Sequence, residues 1–103
     1  MYRISFLYAG TPGCRFDHAY YLQRHMPLVM ARLGALGLLR FEVDRGVGGA
    51  EAGSPAPFIA AAHLYYDSLI DYRAGMERHG PELLGDVPNY TNLRPLVQIS
   101  EIA

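Results

Sequence analysis

The sequence predicts an α+β domain built as β-α-β-β-α-β, with a four-stranded antiparallel sheet and two helices on one face. Three observations predict it. Apolar residues alternate with period two in residues 2–8 and 38–45, and a nearly unbroken apolar run fills residues 58–66. Helical apolar spacing occupies both segments that link strands across the sheet. At 103 residues, half of them hydrophobic and 18% charged, the chain suits one domain, 1–103, with one modest core.

Taken in order, the first strand places Tyr2, Ile4, Phe6 and Tyr8 on one face. Residues 9–16, with Thr11-Pro12-Gly13, form a loop. Asp17 caps a helix running to about Leu33, whose buried stripe is Leu22, Met26, Val29 and Leu33. Gly34 and Gly37 stop it. Residues 38–45 set Leu39, Phe41 and Val43 against Arg40, Glu42 and Asp44, the pattern of an edge strand. The Gly/Ala/Pro-rich residues 46–57 are expected to form a mobile hairpin loop.

FIAAAHLYY, residues 58–66, is apolar on both faces, as a central strand is. Asp67-Ser68 caps a second helix with the stripe Leu69, Tyr72, Met76 and Leu83, and Gly80-Pro81 should disturb its last turns. Residues 96–102 close the sheet, with Gln98 and Ser100 on one side. This order is the ferredoxin-like split-βαβ arrangement. Two helices cover one face only, so the second face of apolar central strands should be buried in a homodimer.

Composition excludes several classes of function. The formal net charge is -1 and every basic residue is arginine, which gives no electrostatic footprint for nucleic acid or an anionic membrane. No apolar run approaches the roughly 20 residues that span a bilayer. One cysteine, Cys14, allows no internal disulfide or multi-cysteine zinc site, and fits a free thiol in the cytoplasm. Neither a metal nor a phosphate-cradling glycine loop is expected.

Chemistry concentrates in DHAYYLQRHMPL, residues 17–28. On a helical wheel His18, His25 and Arg32 flank the apolar stripe, and Tyr21 can touch His25 at i, i+4. Pro27 denies the Gln23 carbonyl a donor and should kink the helix beside His25. An imidazole titrating near ~6.5 suits proton transfer at neutral pH. His79-Gly80-Pro81 repeats the device on the second helix, and His63 on the third strand points either to the same cleft or to the dimer face. The candidate catalytic residues are His25, Tyr21 and His79. Tyr90, Asn89 and His63 are candidates for binding substrate.

FDHAYYLQRHMPLV (16–29), FEVDRG (41–46), PAPFIAAAHLYYDS (55–68) and DVPNYTNLRPLVQISEI (86–102) resemble the EthD family, in order, over almost the whole chain. The family's Tyr-x-x-x-His-x-Pro pattern falls on Tyr21, His25 and Pro27, and its Pro-Asn-Tyr-Thr-Asn segment on Pro88 to Asn92. The resemblance implies a homodimeric α/β barrel of two facing sheets. It also implies a link to ethyl tert-butyl ether degradation. Wider relatives include cofactor-free monooxygenases, muconolactone isomerases and polyketide dehydratases or decarboxylases. Together these readings lead to a cofactor-free enzyme acting on a small hydrophobic carbonyl, enol or lactone, with His25 as general acid or base. The alternative is a non-catalytic protein that binds such a ligand in a degradation pathway.

Overall fold

β1 (Tyr2–Ala9) and β3 (Phe58–Tyr66) pair antiparallel at the centre of the sheet, with Ile4 opposite Leu64 and Phe6 opposite Ala62. β2 (Leu38–Arg45) flanks β3 and β4 (Leu96–Glu101) flanks β1, which gives the order β2-β3-β1-β4. The computed structural model describes residues 1–103. The four antiparallel strands and the helical layer agree with the ferredoxin-like reading.

The barrel does not form. β2 and β4 are separate edges with two strands between them, roughly 14 Å apart at ordinary strand spacing. The sheet therefore stays open, and the α/β barrel expected from the resemblance is corrected to an open four-stranded sheet.

Strand alternation fixes which residues meet the helices. Ile4, Tyr8, Ala60, Ala62, Leu64 and Tyr66 face inward and pack with Met26, Val29, Leu33, Tyr72 and Leu83. In β2 the register shifts between Leu38 and Arg40, so Leu38 is buried while Leu39 is 49% exposed. This bulge takes Leu39 out of the inward set that plain alternation gave it. Tyr66 is fully buried, and its hydroxyl is the one buried side-chain polar atom without a hydrogen-bond partner.

The first helical unit is composite. Asp17 caps α1 (His18–Tyr20) by accepting the Tyr20 N–H at 3.0 Å. A π-helical turn follows at Tyr21–His25, then α2 (Met26–Leu33) and a 3-10 turn at Gly34–Leu36. The π turn is closed by the Met26 N–H, which donates five residues back to the Tyr21 carbonyl. It stands immediately before Pro27, the residue that cannot supply the next α-helical bond.

That extra residue rotates everything before it by about 100° relative to a straight helix. Tyr21 and His25 are consequently buried, and Leu22, assigned to the stripe from its spacing, is 53% exposed. The expected kink is thus a wide turn, and the buried stripe begins at Tyr21. Gly37 ends the unit at φ +105, where a Cβ would also come within 2.8 Å of the Asp71 carboxylate.

Residues 46–57 form a hairpin connection with its own bonds: Gly49 N–H donates to the Ser54 carbonyl, and Ser54 N–H to that of Glu51. α3 (Leu69–Gly85) is capped by Ser68, which accepts the Asp71 N–H at 3.3 Å. It runs through Pro81 without a break. The carbonyl Pro81 leaves without a donor belongs to Glu77, an exposed residue, which explains why the helix survives.

The open sheet face differs from the apolar patch expected there. Its centre is a polar network: Ser5 bonds His63 Nδ1 at 2.8 Å, His63 Nε2 bonds Asp44 at 2.9 Å, and the Tyr65 hydroxyl donates to Glu42 at 2.6 Å. Arg3 donates to the Tyr65 hydroxyl, while Arg40 lies 3.9 Å over the Tyr65 ring and pairs with Glu42.

Candidate functional site

An apolar cavity of about 310 Å³ lies between the helices and the inner sheet face. Phe6, Ala62, Leu64, Met26, Val29, Leu33, Met76 and Leu83 line its apolar end. Tyr8, Tyr21, His25 and Tyr90 form the other end. The π turn supplies two of these four groups, β1 supplies Tyr8, and the segment after α3 supplies Tyr90.

That segment is pinned to the loop before α1. Asp17 N–H donates to the Tyr90 carbonyl at 2.8 Å, Phe16 bridges to Thr91, and Thr91 Oγ1 donates to the Arg15 carbonyl at 2.7 Å. Asn92 accepts the Arg15 N–H, and Arg15 donates to the Pro88 carbonyl. Phe16 then packs edge-on against Tyr8, Tyr21 and Tyr90, with ring centroids 5.0 to 5.4 Å apart. Aromatic pairs of this kind are worth about 0.5–1.5 kcal/mol each beyond area burial. The rings are held firmly before any ligand arrives.

His25 is 6% exposed, and its Nδ1 lies 2.9 Å from Asp86 Oδ2. Asp86 also accepts the Tyr20 hydroxyl at 2.6 Å and the Asn89 amide at 2.9 Å, both on Oδ1. Partial burial pushes the Asp86 carboxyl up, but the bonds from Tyr20, Asn89 and His25 outweigh it and hold it below its ordinary value. Asp86 is therefore an anion that accepts the His25 Nδ1–H. Burial pushes the His25 imidazole below its ordinary value, against the opposing pull of Asp86. The ring is neutral at pH 7 with its Nε2 lone pair uncommitted.

Tyr21 stacks on His25 with centroids 5.4 Å apart and planes at 12°. Tyr21 thus supports the ring by its face, while the orienting hydrogen bond comes from Asp86. Tyr90 lies against the same imidazole at 4.6 Å, and its hydroxyl shares a 2.8 Å hydrogen bond with that of Tyr8. Burial raises the pKa of Tyr8, Tyr21 and Tyr90, so all three keep their protons. Two hydroxyls bonded to each other use one proton, which leaves the pair one O–H to offer.

Of the six candidates read from the sequence, the cavity gathers Tyr21, His25 and Tyr90. His79 is half-buried on α3 but does not line the cavity. His63 lies on the opposite sheet face, between Ser5 and Asp44. Asn89 is exposed and bonds Asp86 and Tyr20, so it braces the carboxylate. These placements correct the expectation that both helices would send histidines to one cleft. The π turn rotates His25 inward, and α3 has no such turn.

Asp86, Tyr20 and Tyr8 were not among the candidates. Asp86 lies in the DVPNYTN run, and its 61-residue separation from His25 hides the pair from any local pattern. No group of three or more His, Cys, Asp or Glu side chains is placed to hold a metal ion. No helix is long and apolar enough to cross a membrane.

The sequence profile of the EthD domain matches residues 15–94, a span that holds both the π turn and the Asp86–Tyr90 segment. The chain belongs to the EthD family. An EthD-like protein of Ralstonia eutropha is 44% identical, over 97% of this chain and 89% of its own, with a TM-score of 0.93. An EthD family protein of Bacillus halodurans is 19% identical over 100% of this chain and 99% of its own, with a TM-score of 0.68. HapK of Hahella chejuensis is 18% identical over 100% and 93%, with a TM-score of 0.62. The last two show the shared fold alone. No curated protein matches the chain.

Proposed function

We propose that this EthD-family chain is a cofactor-free enzyme that moves a proton on a small apolar carbonyl, enol or lactone compound. One observation carries the reading: the uncommitted Nε2 of His25, held by Asp86, stands beside the Tyr8–Tyr90 hydroxyl pair at one end of an apolar cavity. His25 Nε2 takes a proton from the carbon next to the carbonyl, and the electron pair moves onto the carbonyl oxygen. The free O–H of the tyrosine pair donates to that oxygen as it gains charge. The proton then returns to carbon, so nothing is oxidised or reduced. Isomerisation, dehydration and decarboxylation each begin or end with this step.

Deuterium exchange at the α-carbon of 2-tetralone, followed by NMR, tests it. The wild-type protein should accelerate exchange, and His25→Gln, which keeps a side chain able to bond Asp86, should slow it by about 10²–10⁴-fold. Binding of the ketone with no exchange would replace this reading with a ligand-binding role in a degradation pathway.

We also infer a homodimer through the open sheet face. Its support is the half-buried Leu7, Ile59 and His63 together with the exposed Leu96, beside a polar network whose members already satisfy one another. The charged Arg40, Glu42 and Asp44 are more than half exposed, so the interface must offset their desolvation with the apolar area around them. Sedimentation should give twice the chain mass at micromolar concentration, with Ala61→Arg shifting it to the monomer. A wild-type monomer would remove the inference.

A further inference from the structure

The cavity's opening is marked by its exposed lining residues. Leu84 at the end of α3 is 64% exposed and Val97 on β4 is 53% exposed, with Pro88 and Arg94 exposed beside them. The mouth thus lies between the end of α3 and strand β4. Register fixes its position along the sheet. Val97 pairs with Phe6 and Leu96 with Leu7, so the chain before β4, Arg94-Pro95, sits at the Tyr8 end. The polar groups of the cavity and the guanidinium at its mouth share one end, and the far end is apolar.

Arg94 is the one permanently charged residue among the nineteen that line the cavity, and no carboxylate lines it. Four other arginines are engaged by the protein: Arg3 by Tyr65, Arg15 by Pro88, Arg32 by Glu82 and Arg40 by Glu42. Arg94 makes no hydrogen bond or ion pair. The Asp86 carboxylate is already taken up by Tyr20, His25 and Asn89. With a net charge of -1 the protein as a whole does not attract anions, so any preference for one must be local.

We infer that Arg94 receives a carboxylate on the ligand, and that the ligand is an apolar carbonyl compound carrying that acid at its exposed end. This rests on the cavity reading above and names its substrate class. The guanidinium fork matches a carboxylate with two parallel N–H···O bonds, a fit that an alcohol or amide does not offer. The ligand enters with its apolar body directed toward Leu33 and Met76. Its carbonyl stands at the tyrosine pair, and its carboxylate remains at the mouth. At about 310 Å³ the cavity is at the small end of ligand pockets, which run from roughly 300 to 1,000 Å³, so one or two fused rings fill it.

Calorimetric binding of 2-naphthoate and of its neutral isostere 2-naphthalenemethanol, at pH 8, separates the outcomes. The wild-type protein should prefer the acid by about tenfold, a modest factor because an exposed guanidinium is partly screened by water. The preference should shrink as salt rises. Arg94→Gln should abolish it while leaving the affinity for the alcohol within about twofold, and Arg94→Lys should restore part of it. Equal binding of both probes by the wild type, or a preference that survives Arg94→Gln, overturns this inference and leaves the cavity reading standing. Failure of both probes to bind overturns the inference and the cavity reading together.

Discussion

Asp86→Asn should abolish His25-dependent α-proton exchange while leaving the fold in place. The reason lies in which oxygen each partner uses. Tyr20 and Asn89 both donate to Oδ1, and His25 bonds Oδ2. Two donors hold the carbonyl oxygen of the new amide at the Oδ1 position, so its NH₂ group takes the Oδ2 position facing His25. There it donates to Nδ1 and shifts the imidazole proton to Nε2. The cavity then meets a donor where the reaction needs a base. Exchange should fall by about 10²–10⁴-fold, the range a positioned acid–base group contributes. Imidazole nitrogen shifts should report the changed tautomer, which a purely structural role for Asp86 would not alter.

The same pair sets how acid acts on the wild-type protein. Burial makes folded His25 release its proton more readily than the unfolded chain does. The unfolded state therefore binds more protons below about 6.5, and stability falls as pH drops from there through the lowered folded value. Asp86 adds a second loss further down. Its stabilisation is complete above the ordinary carboxylate range and disappears as pH falls through its depressed folded value. In the Asp86→Asn protein the second loss is absent, and the first is steeper because no carboxylate supports the imidazolium. Denaturant midpoints measured between pH 8 and 3 check both windows.

Leu33→Ala should destabilise the fold strongly. Leu33 is fully buried at the end of α2, packs close to Gly75 of α3 and lines the far end of the cavity. Loss of its side chain should cost about 2–5 kcal/mol, toward the upper end because existing empty space keeps the walls from collapsing inward. For a chain of this size that is a fall in Tm of roughly 10–30 °C. The enlarged cavity should also accept a longer apolar ligand, and such a ligand should recover part of the loss by binding only the folded state. Thermal unfolding with and without 2-tetralone and a tail-extended analogue checks both statements. An unchanged Tm would show that Leu33 is not packed as described.

The element order could be read directly, because period-two and period-3.6 patterns report burial of whole faces. Asp17 and Ser68 could be read as caps for a similarly local reason: each bonds an N–H three residues on. Leu22 and Leu39 were misplaced by a single cause acting in two elements. Each sits beside one inserted residue, in a π turn and in a β-bulge, and an ideal period carries the wrong phase across such an insertion. His25 was found because its sequence neighbours are unusual. Asp86, which holds it, was not, since the bond between them joins distant segments and neither residue's surroundings record it. The open face was misread because β3 looks apolar by composition. Its His63 and Tyr65 in fact recruit polar partners from β1 and β2.

The π turn has an evolutionary consequence. It amounts to one surplus residue in an otherwise ordinary helix, at a point where Tyr21 packs on Tyr8 of β1 and His25 bonds Asp86. A single-codon deletion between Tyr21 and His25 would turn the Met26-to-Tyr21 bond into an ordinary α-helical one, keep Tyr21 in place and set it three residues from His25 instead of four. Members of one family can therefore gain or lose the stacked histidine by a change of length rather than of residue type. Alignments that score only substitutions would place such relatives side by side without distinguishing them.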